Sequence, residues 1–138
     1  MARVLGIDPG TRRCGLAVTD SVPTMAFPRP AITRDDATMG RLRELVDEEA
    51  IAVIVIGRPI ALSGQDTAST ADADKFFSQV QELFNEVPVV QWDERLTTRD
   101  AQKSLSEAGL TTKESRQRLD SAAAVIMLQN YVDGLNAE

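Results

Sequence analysis

The sequence predicts an α/β protein in which helices cover both faces of a mixed, five-stranded sheet. Near the start of the chain, two short apolar runs are joined by a Pro-Gly turn, which is typical of a β-hairpin. Further along, apolar runs alternate with segments of helical periodicity. A strand–helix–strand order requires right-handed crossovers between parallel strands. The 138 residues suffice for one sizeable core, so we expect a single domain over residues 1–138.

The first half of the chain contains the predicted hairpin and one helix–strand unit. The hairpin strands span residues 3–8 and 15–19. Residues 21–33 include three prolines, so we expect a loop with room for one short strand. Two aspartates open the next helix, where the helix dipole favours them, and this helix is expected over residues 35–50. Residues 51–56 are continuously apolar and β-branched, as in a strand covered on both faces.

The second half continues the alternation and ends in helices. After a loop rich in Gly, Ser and Pro, a helix is predicted over residues 70–85 and a strand over residues 87–92. A further helix is expected over residues 98–107, ending before a glycine. The last helix is predicted from residue 112 to about residue 133.

The composition excludes several kinds of catalytic site. The chain has no histidine, which rules out Ser-His-Asp and Cys-His nucleophiles and histidine-bound zinc or haem. The single cysteine, Cys14, can form neither an internal disulfide nor a cysteine-based zinc site. The catalytic groups must therefore be carboxylates, hydroxyls, arginines or a bound metal.

The net charge of −6 is unevenly distributed. Residues 35–86 contain 11 acidic and 4 basic residues, whereas the rest of the chain contains 10 acidic and 11 basic residues. Both ends of the chain can therefore present arginines to a phosphate backbone. The start of the chain shows no signal-peptide pattern and no apolar run is long enough to span a membrane, so we expect a soluble, cytoplasmic protein.

Three acidic positions lie where a carboxylate is costly to place. Asp8 ends the first predicted strand and Asp93-Glu94 ends the last, and ligands of parallel α/β sheets bind beyond such strand ends. Asp120 belongs to a predicted inward stripe of the last helix, together with positions 123, 127 and 131. The alternatives are that Asp8 caps a turn and that Asp120 pairs with Arg95 or Arg116 or faces outward.

Carboxylates that a fold brings together repel one another, and a divalent cation relieves that repulsion. Hard oxygen ligands select Mg²⁺ or Mn²⁺. Such ions activate water for phosphoryl displacement without a histidine base, which suits this composition. One or two metal ions are compatible with the pattern.

Three motifs resemble those of the YqgF/RuvX family of the ribonuclease H-like superfamily. They are the segment GIDPGTRRCGL at residues 6–16, the segment DERLTT at residues 93–98, and Asp120 with the following SAAAVIML. The resemblance implies a ribonuclease H-like fold and a carboxylate triad, which falls on Asp8, Glu94 and Asp120 in this chain. Asp93 remains the alternative to Glu94, because a bulge could exchange two adjacent strand-end residues.

The same resemblance, together with position, suggests phosphate contacts. Arg95 and Thr97 belong to the second motif, and Arg58 replaces an apolar residue in a family loop that follows the fourth predicted strand. Arg12 and Arg13 lie in the hairpin turn beside Asp8, although turn arginines are common. Arg116 opens the last helix, where the dipole disfavours a cation.

The family is assigned both to pre-16S rRNA processing and to Holliday junction resolution. We therefore expect a metal-dependent nuclease, a hydrolase that acts on structured nucleic acid and processes the 5′ end of pre-16S rRNA, with ribosomal precursor particles as partners. The alternatives are a dimeric resolvase of four-way DNA junctions and a non-catalytic RNA-binding assembly factor. Asp8-Pro-Gly-Thr is also similar to the phosphate loop of sugar kinases, but those folds require a second domain. The oligomeric state, monomer or homodimer, is left open.

Overall fold

The strands of the computed structural model form one mixed sheet of the order β3-β2-β1-β4-β5. The structure describes residues 2–59, 63–65, 67–94 and 112–136, with side chains for all of these except residues 112–120. The antiparallel pairs are β1–β2 and β2–β3, and the parallel pairs are β1–β4 and β4–β5. The strands are β1 Arg3–Pro9, β2 Arg13–Thr19, β3 Ala26–Thr33, β4 Ile51–Arg58 and β5 Val89–Asp93.

Helices pack on both faces of this sheet. Helices α1 (Thr38–Glu48) and α2 (Ala68–Leu83) cover one face, over a core that includes Ile7, Ile56 and Phe76. Helix α3 (Thr112–Asn136) covers the other face. The predicted mixed sheet with helices on both faces is confirmed.

The edge strand β3 is longer than the sequence indicates. It runs for eight residues through Pro28 and Pro30, where we expected mostly loop. Because β3 lies at the edge of the sheet, the missing proline N–H groups remove no bond to a second neighbour. Ala26 in the same strand donates its amide to the side chain of Gln129 on α3 at 2.9 Å.

Helix α1 begins three residues later than predicted. The hydroxyl of Thr38 accepts a hydrogen bond from the amide of Asp35 and donates one to the carbonyl of Thr33. These bonds close a turn between β3 and α1. The two aspartates therefore belong to the turn rather than to the helix.

Helix α3 lies very close to β1 because Gly6 has no side chain. A Cβ at Gly6 would lie 2.9 Å from the Cβ of Leu128. The inward face of α3 is rotated from the predicted stripe: Ala124, Met127 and Leu128 are buried, whereas Ala123 is exposed. The prediction for Ala123 was wrong, because an ideal helical wheel does not specify which side of a stripe meets the sheet.

Two further predictions concern a helix after the last strand and the lack of a membrane span. The helix expected over residues 98–107 lies outside the described residues. None of the described helices combines the length and apolarity that a membrane span requires.

Candidate carboxylate site

Asp8 and Glu94 meet at the carboxyl end of the sheet although their strands are not neighbours. Asp8 lies near the end of β1 and Glu94 follows β5, with β4 between them. Ile7 pairs with Ile56, so the next residues, Asp8 and Gly57, are level with each other. A Cβ on Gly57 would overlap Oε1 of Glu94. The absent side chain of Gly57 therefore leaves the space through which Glu94 reaches Asp8.

The environment of Glu94 favours its protonated form. Burial, a hydrogen bond with Asp8, and the charges of Asp8 and Asp93 raise the pKa of Glu94 from 4.5 to about 8. The protonated Glu94 carboxyl thus donates to the Asp8 carboxylate at neutral pH. Two acidic groups that share one proton form a site in which a bound cation would be strongly stabilised.

Of the two adjacent acidic residues, Glu94 is the one whose carboxyl hydrogen-bonds to Asp8. Asp93 is the register partner of Arg58 at the end of the β4–β5 ladder. It acts on Glu94 through its charge.

The backbone of α3 brings Asp120 to the same end of the sheet, the carboxyl end of β1. The amide of Leu16, which is level with Ile7, donates to the hydroxyl of Ser121. From there α3 runs toward the opposite end of the strands, where Asn136 donates to the carbonyl of Pro23. The side chain of Asp120 lies outside the described part of the chain. Among the described side chains, no group of three acidic, cysteine or histidine residues is placed to hold a metal.

The β1–β2 turn with Arg12 and Arg13 is fixed by Arg34. The amide of Arg34 donates to the carbonyl of Arg12 at 2.8 Å, and its guanidinium donates to the carbonyl of Gly10 at 2.8 Å. The same guanidinium pairs with Asp72 of α2 at 3.1 Å. The side chains of Arg12 and Arg13 are exposed at this braced turn.

The hydrogen bonds described for the Arg58 side chain are made to helix α2. Its guanidinium makes two hydrogen bonds to Asp74 of α2, at 2.8 and 3.0 Å, and Asp74 also accepts one from Gln91. The bond from Arg58 lowers the pKa of Asp74. Arg58 thus faces the α1–α2 side of the sheet, whereas Glu94 lies beside Met127 on the α3 side. Its assignment to phosphate binding stays a prediction.

The remaining predicted phosphate contacts fall outside the described side chains. Arg95 and Thr97 lie outside the described residues, as does the side chain of Arg116. The buried thiol of Cys14 has its pKa raised to about 12, first by burial. It is therefore protonated at neutral pH and is no nucleophile.

Sequence reasoning missed the residues that shape the site. The sequence predicts that the fourth strand ends at residue 56 and that Gly57 begins a loop, whereas β4 extends through Gly57 to Arg58. Its signal was a glycine directly after a continuous β-branched run, which indicates a close approach by another group. The brace formed by Arg34 and Asp72 had no local signal, because the two residues are 38 positions apart.

Gly57→Ala should disable the site while leaving the fold intact. The new Cβ would overlap Oε1 of Glu94 and lie 3.0 Å from Sδ of Met127, and the carboxyl is the group that can move. Displacing a catalytic group by about 1 Å costs about 10²-fold in rate. Gly134→Ala is the matched control, because nothing lies within 4 Å of its new Cβ. Equal cleavage rates for the two variants, in protein of normal circular dichroism, would contradict this role of Gly57.

The fold is that of the RuvC resolvases, and the predicted ribonuclease H-like fold is confirmed. A RuvC from Thermus thermophilus in complex with Holliday junction substrate superposes with a TM-score of 0.62, at 14% identity, covering 98% of this chain and 96% of that chain. This likeness concerns the fold.

The sequence assigns the family. The family model of RuvX, described as Holliday junction resolvase, matches residues 2–134, and the chain belongs to this family. A Leifsonia xyli relative is 42% identical over 137 residues, covering 96% of this chain and 86% of the relative. A Bacillus subtilis relative is 37% identical over 138 residues, covering 97% and 99%. Both relatives have the provisional name pre-16S rRNA nuclease.

Proposed function

We propose that this protein is a metal-dependent nuclease that hydrolyses phosphodiester bonds of structured RNA during the maturation of pre-16S rRNA. The observation on which the proposal depends is the meeting of Asp8 and Glu94 across Gly57. Buried carboxyl groups are costly unless they are paired, and the carboxyl of Glu94 is hydrogen-bonded to that of Asp8. Two acidic side chains that meet at a strand end are typical of a site that binds a cation.

The donor set fits a hard divalent cation. Asp8 and Glu94 supply carboxylate oxygens. Burial, the hydrogen bond with Asp8 and the charges of Asp8 and Asp93 raise the pKa of Glu94, and Mg²⁺ or Mn²⁺ would favour the ionised form. Asp120 is the third proposed ligand, because its position in α3 lies at the same carboxyl end of the sheet. When bound, a divalent cation lowers the pKa of an attacking water and stabilises the charge that develops on the phosphate.

The protein's own groups bind and orient the substrate. The braced β1–β2 turn holds Arg12 and Arg13 next to Asp8, where they would attract the phosphates on either side of the scissile bond. Glu94 must release its proton before it can act as a carboxylate ligand, so metal affinity should rise with pH. Arg95 and Thr97 are proposed as further phosphate contacts because they belong to a motif that resembles the family, and Arg116 because it lies near the start of α3, where the dipole disfavours a cation.

The names of the relatives favour ribosomal RNA as the substrate. Relatives that the chain matches over nearly its full length have the provisional name pre-16S rRNA nuclease. A pre-16S rRNA substrate would place the activity in the bacterial cytoplasm, with ribosomal precursor particles as partners.

A second candidate function is the resolution of four-way DNA junctions. It is favoured by the family description and by the RuvC fold. Symmetric cleavage of two strands requires a two-fold dimer, so this alternative also predicts a dimer in solution.

One cleavage experiment separates these possibilities. The wild type and Asp8→Asn are incubated with a labelled pre-16S rRNA leader, a single-stranded RNA of equal length and a four-way DNA junction. Each substrate is tested in Mg²⁺, in Mn²⁺ and in EDTA. We expect metal-dependent cleavage of the leader by the wild type alone. Symmetric cuts in the junction would favour the resolvase, and binding of the leader without cleavage in either metal would favour an assembly factor.

Arg12→Ala should weaken substrate binding and reduce its salt dependence. Each phosphate contact contributes about one unit to the slope of log affinity against log salt, and the loss should be similar for different sequences. Arg43→Ala is the matched control, because Arg43 is also partly exposed but pairs with Glu86 on the surface. Binding titrations at several salt concentrations would measure the slopes. An unchanged slope for Arg12→Ala would contradict a contact between Arg12 in the β1–β2 turn and a substrate phosphate.

A further inference from the structure

Ser121 is a buried residue of α3 whose hydroxyl joins two strands of the sheet. Its side chain has no solvent exposure. Its Oγ accepts a hydrogen bond from the amide of Leu16 on β2 at 3.1 Å and donates one to the carbonyl of Arg29 on β3 at 2.6 Å. Leu16 and Arg29 are register partners at the point where the β2–β3 ladder is irregular. A helix side chain thus bridges the backbones of two strands.

This bridge lies level with the carboxylate site. Leu16 pairs on its other side with Ile7, the residue before Asp8. In the helix, Ser121 directly follows Asp120. The hydroxyl of Ser121 therefore connects the part of the sheet next to Asp8 with the helical turn that contains Asp120.

The bridge also supplies a restraint that apolar packing lacks. Gly6 sets the distance between α3 and the sheet through its contact with Leu128. Such a contact limits approach but permits small shifts along the helix axis. A hydroxyl with two backbone partners resists those shifts, because a buried polar group that loses its partner is costly.

We propose that Ser121 is a positioning residue that holds the helical turn of Asp120 at the metal site. The inference rests on the proposed function. Groups that orient metal ligands typically affect metal affinity or activity by about 10- to 100-fold when they are removed. Ser121→Ala should therefore weaken Mn²⁺ binding and lower kcat by about that factor, with little change in KM.

Thr19 provides a matched control in the same sheet. Its hydroxyl is also buried, accepts a hydrogen bond from the amide of Val4 at 2.9 Å and donates one to the carbonyl of Asp20 at 3.0 Å. Its partner Val4 lies at the start of β1, four residues from Asp8, or about 13 Å along the strand. Thr19→Val and Ser121→Ala each remove one buried bridging hydroxyl and should lower the melting temperature to a similar extent.

The experiment compares wild type, Ser121→Ala and Thr19→Val by metal-free melting, by calorimetric titration with Mn²⁺ and by steady-state cleavage. We expect both variants to melt lower, while only Ser121→Ala loses Mn²⁺ affinity and kcat. If Ser121→Ala does not fold, Ser121→Cys, whose thiol is a weak donor, is judged by the same criterion.

Two results would overturn the inference. If the wild type binds Mn²⁺ and cleaves, and Ser121→Ala matches Thr19→Val in both properties, the positioning role alone is wrong. If the wild type neither binds Mn²⁺ nor cleaves, the proposed function fails and the positioning role fails with it.

Discussion

Asp8→Asn, Glu94→Gln and Asp120→Asn should each reduce cleavage by about 10²- to 10³-fold, with the fold retained. Asp8 and Glu94 form the pair at the end of the sheet, and an amide can neither neutralise a cation's charge nor accept as many bonds as a carboxylate. The substitutions preserve side-chain volume, so the core is unaffected. Single-turnover cleavage in Mg²⁺ and in Mn²⁺ would measure the loss.

Asp93→Asn is the matched control for this prediction. Asp93 is adjacent to Glu94 and has the same charge as the Asp8 carboxylate, and it raises the pKa of Glu94 through that charge. We expect Asp93→Asn to retain most activity. Full activity in Glu94→Gln together with none in Asp93→Asn would transfer the ligand role to Asp93.

In the absence of metal, the wild type should lose stability as the pH rises from about 4.5 to about 8. The folded state holds the Glu94 proton up to a pKa of about 8, whereas the unfolded chain releases it near 4.5. Between these values the folded state binds more protons, so the free energy of unfolding falls by up to about 1.4 kcal/mol per pH unit. Below this window the contribution of Glu94 is fully present, and above it the contribution is lost.

Glu94→Gln isolates this effect because its side chain does not titrate. In EDTA, the variant should become progressively more stable than the wild type through this window, and the difference should level off above pH 8. Asp8→Asn removes one of the charges that raise the pKa of Glu94, so it should also melt above the wild type in EDTA at pH 8. Parallel denaturation curves for wild type and Glu94→Gln at every pH would contradict the assignment.

Adding Mg²⁺ should raise the melting temperature of the wild type. A ligand that binds only the folded state stabilises it by about 2.7 kcal/mol at 100 times its dissociation constant. The wild type has the complete site and should gain most, whereas Asp8→Asn should respond less. A destabilised Asp8→Asn variant, beside a wild type indifferent to Mg²⁺, would indicate that Asp8 merely caps a turn.

The sheet was predictable because each of its inner strands has a local signal. Residues 51–56 are continuously apolar, and the structure buries Ile54, Val55 and Ile56 completely. The strand β3 was largely missed because its prolines are locally typical of a loop. Only the position of β3 at the sheet edge, which is a property of the whole fold, makes those prolines compatible with a strand.

Which residues form the site was easier to predict than how the fold brings them together. Strand ends and the family motifs both indicate Asp8 and Glu94, and the structure brings these two carboxyls together. The sequence does not reveal that Gly57 must lack a side chain for Asp8 and Glu94 to meet. This follows only from the sheet order, in which β4 lies between β1 and β5. The sequence also presents Ser121 as one of several small residues, whereas its hydroxyl makes two backbone hydrogen bonds across a distance of about 100 residues in sequence.

The proline-rich edge of the sheet constrains how two copies of this chain can associate. Along β3, Pro28 and Pro30 have no N–H to offer, and the N–H of Ala26 is already bound to Gln129. A second copy approaching β3 would find too few donors to continue the sheet across a two-fold axis. A dimer that cuts a junction symmetrically would therefore not align its two active sites through a continuous ten-stranded sheet formed at β3.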